Sequence, residues 1–174
     1  MLERLPKFID PLVFADRGSE LKGKIELADL QRLADILANQ NGNVAVQLSF
    51  FKQNRLAGVK GQVNVNIDLV CQKCLEAVQW DSQISFALGL VSSLDEADRL
   101  PEGYEPMLVN SEEKIALSTL VEEELLLAIP SFPKHEYNCS DLEQSEQKKP
   151  RIKIEAENSD NPFSILAKLK KTGD

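Results

Sequence analysis

The sequence carries one histidine, one tryptophan and three cysteines in 174 residues, and each scarcity excludes something. An odd number of cysteines argues against a closed disulfide framework and agrees with a reducing compartment, where thiols stay free or bind metal. A single histidine leaves most acid/base arrangements without a partner. No Gly-rich phosphate loop, Gly-x-Ser-x-Gly or His-Glu-x-x-His segment occurs either. No apolar run approaches the roughly 20 residues needed to span a bilayer. The opening MLERLPKFIDPLVF puts acids and prolines where a signal peptide has an uninterrupted apolar core. Together these absences predict a cytoplasmic protein that is not an enzyme.

What is present suits one globular domain with a tail, a chain long enough to bury a core without disulfide staples. The net charge of -8 is unevenly placed. Residues 1–60 carry 9 basic against 7 acidic side chains, whereas residues 92–150 carry 5 against 14. That acidic stretch repels phosphate backbones and attracts basic protein, so any nucleic-acid contact falls to the N-terminal half or the tail.

Leu27, Leu30, Leu33, Ala34 and Leu37 recur at helical spacing and predict a short amphipathic helix over about 27–39. Period-two alternation follows. Val44, Val46, Leu48 and Phe50 alternate with Ala45, Gln47, Ser49 and Phe51, and Val63, Val65, Ile67 and Leu69 alternate with Gln62, Asn64, Asn66 and Asp68. Val78, Trp80, Ile84, Phe86, Leu88 and Leu90 keep the same parity. Strands with one apolar and one polar face indicate an antiparallel sheet. Residues 92–103 read as a loop and PMLVN as a short strand. LSTLVEEELLLAIP reads as a helix over about 118–129, with Thr119 and Glu122 at capping-box spacing and Pro130 as its stop. Glu122, Glu123 and Glu124 are a solvated face or, more sharply, a docking site for basic protein. The fold class is therefore α+β, an antiparallel sheet, open or barrel-like, with two or three helices and a flexible C-terminal tail. The domain occupies residues 1–139 and a linker poor in large apolar residues occupies 140–160. Residues 161–174 form a short basic helix, with Asn161 as cap and Pro162 at its first position. That helix packs back on the domain or, on the sharper reading, uses Lys168, Lys170 and Lys171 to contact RNA or a ribosomal surface.

Cys71-Gln-Lys-Cys74 lies between two alternating strands, at the tip of a hairpin. Two thiols at this spacing suit half of a tetrahedral zinc site, a redox pair, or a turn that happens to hold thiols. A thioredoxin-type pair would need a helix after it, and here a strand follows. A structural zinc site needs four ligands, and the remaining candidates are His135 and Cys139 in PKHEYNC, at His-x3-Cys spacing.

Taken in order, CQKCLE, LPEGYEPMLVN, LVEEELLLAIPSFPKHEYNC and NPFSILAKLKK resemble the YceD family of large ribosomal RNA subunit accumulation proteins, from LPKFIDPLVFA to Lys171. The resemblance implies a role without catalysis in the synthesis, processing or stability of 23S ribosomal RNA. It also implies a metal site completed across the chain, with Cys71 and Cys74 matching the family pair and a reduced set, His135 and Cys139, following the acidic helix. The partner expected on this basis is a large-subunit RNA precursor or a basic ribosomal or assembly protein, met through an adaptor-like surface. Two alternatives stand beside it. One is direct RNA binding by the outer sheet face, where Phe51 is the aromatic candidate; the other is a small zinc or thiol protein.

Overall fold

A computed structural model describes residues 5–54, 56–110 and 114–139. The expected linker 140–160, the expected helix 161–174 and its Lys168, Lys170 and Lys171 lie outside the described residues.

The chain begins with a short strand, β1 (Phe8–Ile9), and a seven-residue helix, α1 (Pro11–Arg17). Local chemistry delimits that helix. The Asp10 carboxylate accepts from the Val13 amide at 3.1 Å, Pro11 fills the first helical position, and Gly18 ends the helix in the left-handed region at φ 59°. Strand β2 (Glu20–Glu26) follows, then a segment of short 3-10 turns, then the long strands β3 (Asn43–Gln53), β4 (Leu56–Val70) and β5 (Ala77–Val91). The chain continues through α2 (Leu94–Ala97), β6 (Glu105–Leu108), β7 (Ile115–Ala116) and α3 (Leu117–Ala128).

Five strands form one sheet in the order β2-β3-β4-β5-β6, and β1 pairs with β7 in a separate two-stranded ribbon. The expected α+β class holds. Strands β2 to β5 are antiparallel and β6 joins β5 in parallel, so the sheet is mixed at one edge and open between β2 and β6. The parallel step arises because the segment between β5 and β6 crosses back before pairing. The Cβ of any larger residue at Gly89 would come within 2.5 Å of the Leu100 side chain, so that crossing segment lies directly on the sheet.

The predicted parity of the strands is observed. Val44, Val46, Leu48 and Phe50 on β3 and Val63, Val65, Ile67 and Leu69 on β4 are buried in one core with Leu27, Leu30 and Leu33 and the α3 residues Leu117, Leu120, Val121 and Leu125. Phe14 of α1 meets Phe50 edge-on, with ring centroids 5.4 Å apart.

Three local expectations are corrected. The helix expected over 27–39 is instead two 3-10 turns, Leu27–Asp29 and Gln31–Leu33. Leucines three apart suit three residues per turn as well as 3.6, and tertiary bonds decide between them. Strand β4 runs past the start of β3, and residues 36–38 take up its exposed edge: Ala38 N donates to Asp68 O at 2.8 Å and Val70 N to Ile36 O at 3.0 Å. The stretch 92–103 is not all loop, because Ser93 caps the short α2 by accepting from Glu96 N, while Glu96 accepts from the Ser92 amide and hydroxyl. Finally, α3 starts at Leu117 with Ala116 as its cap and no side-chain capping bond, so the expected Thr119 capping box is not formed. Leu117 N donates to Lys7 O instead, since the β1–β7 ribbon delivers the chain directly into the helix.

Candidate metal centre

β4 ends at Val70 and β5 begins at Ala77, so Cys71 and Cys74 occupy the hairpin tip, as the alternating strands on either side of them predicted. Cys71 N donates to Glu76 O and Leu75 N to Cys71 O, both at 2.9 Å, and Leu75 takes a left-handed φ of 63° to complete the turn. A β-strand could not bring two residues of this spacing to one point, because successive side chains alternate between faces. The turn does.

The other two ligand candidates come from the chain after α3. Pro130 follows the end of α3, and the segment beyond docks on the tip through Gln72 N, which donates to Pro133 O at 2.8 Å. Lys73 Nζ adds a bond to Asn138 Oδ1 at 2.8 Å. His135 and Cys139 thereby arrive beside the hairpin.

The four donor atoms of Cys71, Cys74, His135 and Cys139 all lie within 4.8 Å of one another. The sulfurs of Cys71 and Cys139 are 3.7 Å apart, and Cys74 Sγ is 3.5 Å from His135 Nδ1. A tetrahedral ion bonded to sulfur at about 2.3 Å would set its sulfur–sulfur edges at roughly 3.7 Å. The donor set therefore fits a tetrahedral cation in number, type and spacing.

The surroundings orient the ligands for that role. His135 Nε2 is 3.1 Å from Ala77 O, and a carbonyl can only accept, so Nε2 carries the proton and Nδ1 presents its lone pair to the cluster. The Tyr137 ring leans on the imidazole with centroids 4.8 Å apart. Lys73 N donates to Cys71 Sγ at 3.4 Å. Burial pushes the Cys71 thiol up, but the amides of Cys74, Lys73 and His135, with the Cys74 side chain, outweigh it and bring Cys71 down to about 5. Cys139 is pushed up to about 11 by burial and by the neighbouring Cys74 and Cys71. Thiolates this close together repel one another, and a bound cation would relieve that repulsion. The carbonyls of Ala77 and Pro133 do much of this positioning, and no side-chain pattern in the sequence marks a backbone acceptor.

The acidic docking triplet requires correction. Glu123 is exposed, but Glu122 is 5% and Glu124 9% exposed, so the three do not share a solvent face. Successive residues on a helix point about 100° apart, and the two flanking acids turn towards the 3-10 turns and the sheet edge. Glu122 accepts the Arg32 backbone amide at 2.6 Å, and Glu123 pairs with the Arg32 guanidinium at 3.2 Å. Burial, with Glu105 and Glu123 nearby, pushes the Glu124 carboxyl up to about 7. Through Arg32, Glu122 and Glu123 tie α3 to the second 3-10 turn.

Comparison with known proteins gives a consistent result. The family model of the large ribosomal RNA subunit accumulation protein YceD matches residues 59–170. A Haemophilus influenzae protein named "Large ribosomal RNA subunit accumulation protein YceD" is 35% identical over 168 residues, 96% of this chain and 97% of that protein. No solved structure matches the chain.

Proposed function

The chain belongs to the YceD family, and from that premise we propose that it promotes the accumulation of large-subunit ribosomal RNA by binding, without catalysing a reaction. The cage is the observation that carries this reading. The only histidine of the sequence and all three of its cysteines converge on one point, where four ligands would saturate a tetrahedral ion and leave no open position for substrate. That set suits zinc, which here would clamp the hairpin tip to the segment after α3. The side chains best suited to nucleophilic or general-base work are thus committed to structure.

The protein acts as a rigid adaptor for the 23S RNA precursor and its assembly partners in the cytoplasm. Its docking does not run through Glu122 and Glu124, whose burial withdraws them. Depletion of the protein should lower the ratio of large- to small-subunit ribosomal RNA, and re-expression should restore it. An unchanged ratio in depleted cells would refute the reading.

A further inference from the structure

We propose that the outer face of the sheet is a binding surface for single-stranded RNA, an inference that rests on the ribosomal RNA reading above. The strand register lays this face out in rows. Lys22 of β2, Gln47 of β3, Gln62 of β4 and Ser85 of β5 stand side by side in one row. Lys24, Ala45, Asn64 and Gln83 form the next. Neither row contains an acid. In the row on the other side Ser49 faces Lys60, with Glu20 at the β2 end.

Helix α3, Phe14 of α1 and the 3-10 turns pack on the opposite face with the apolar core, while the crossing segment that carries Leu100 and Tyr104 covers the β5 end of this face. Lys22, Lys24, Gln47, Lys60, Asn64 and Gln83 are exposed. Among the described residues the ion pairs are Arg32–Glu123 and Lys52–Asp16, so the three lysine charges on this face are not spent on carboxylates. Among the strand residues of this face the acids lie at its margins: Glu20 and Glu26 end β2, while Asp68 and Asp81 lie towards the hairpin tip, where Asp81 accepts from Asn66 at 3.0 Å; the exposed Asp95, Asp98 and Glu102 belong to the crossing segment at the β5 end.

One corner adds aromatic surface. The Phe51 ring lies over Gly58, where a Cβ would come within 2.6 Å of it, so glycine is what lets the ring lie down on the sheet. Tyr104, brought across the sheet by the segment before β6, stands beside it with centroids 6.0 Å apart. Lys60 Nζ lies 5.6 Å from the Phe51 centroid and 5.9 Å from that of Tyr104. Cations, two half-buried rings and a field of amides are the three things an unpaired strand offers partners to: phosphates, base faces, and base edges that both donate and accept. A basic protein would meet like charge here, and a duplex hides the base edges that the amides would read.

The test uses the full chain and a labelled, mixed-sequence 20-nucleotide RNA, single-stranded or annealed to its complement, with anisotropy read at several salt concentrations. The single strand should bind at least about tenfold tighter than the duplex, with log K falling at a slope of about -2 against log salt for three neutralised phosphates. Replacing Lys22, Lys24 and Lys60 together by alanine should bring that slope towards zero. Tyr104→Ala should weaken binding about tenfold while leaving the slope intact, which separates stacking from charge. Lys114→Ala, an exposed lysine away from the sheet face, should change nothing. Absence of single-strand binding, equal binding of the duplex, or full binding by the triple-lysine variant would overturn the proposal. If the single strand is not bound yet depletion still lowers large-subunit RNA, this surface alone is refuted. If it is bound as described while depletion changes nothing, this surface stands and the cellular role falls.

Discussion

The inner face of the sheet and the tip of the β4–β5 hairpin belong to the same two strands, yet different forces hold them. Along the inner face, Val63, Val65, Ile67 and Leu69 are buried against leucines from the 3-10 turns and α3, and the hydrophobic effect needs only that they be apolar and on the same side. Two residues beyond Leu69, at Cys71, the arrangement changes to directed contacts among sulfur, imidazole and backbone groups. Area burial tolerates approximate geometry, whereas ligation needs four atoms at one point. The core should therefore resist changes of pH and metal supply, and the tip should respond to both.

The largest effect should come from the core. Leu48→Ala removes a side chain with no exposed surface from the centre of β3 and is expected to cost about 2–5 kcal/mol, seen as a lower midpoint in urea unfolding. Metal content should hardly change in the fraction that remains folded. A loss of metal in parallel with stability would erase the distinction between the two regions.

Cys74→Ser should do the reverse. Losing a support outside the ligand shell typically costs 10–100-fold in metal affinity, so losing a ligand should cost more than about 100-fold. Elemental analysis should find one zinc per wild-type chain and far less in the variant. Amide exchange should accelerate at 71–77 and 133–139 while the amides of Val46, Leu48 and Val63 keep their protection. Uniform acceleration across the sheet would mean that the cage supports the whole fold.

The smallest effect sharpens the claim that the core is insensitive to pH by locating its exception. Glu124 is raised to about 7, so the folded protein holds this proton at pH values where the unfolded chain, at about 4.3, has lost it. Stability is full below the unfolded value, declines as pH rises towards about 7 and levels off above it, a loss of at most about 4 kcal/mol that solvent screening reduces further. Glu124→Gln should flatten that decline between pH 5 and pH 8 in denaturant titrations. An unchanged slope would assign it to other groups.

Much of the architecture was legible because alternation has a period of two and one burial direction. The parity of β3, β4 and β5 follows from side chains alone. Helix α1 was equally legible in principle, since Asp10, Pro11 and Gly18 are its boundary signals, but seven residues offer too few apolar repeats to draw attention. The stretch 27–39 misleads for the opposite reason. Its leucine spacing satisfies two helix types, and the choice was made by Asp68 and Val70 on a distant strand, whose backbone groups needed partners.

The candidate site divides in the same way. The sequence by itself determined which faces of the strands turn inward, that Cys71 and Cys74 share a turn, and which two residues remained to join them, because these depend on residue type and short spacing. Only the tertiary structure decided that residues 135–139 return to the hairpin tip, that Glu122 and Glu124 are buried, and that Tyr104 lies beside Phe51. Each of those depends on where separate segments meet in space, and that is set by the packing of the entire core.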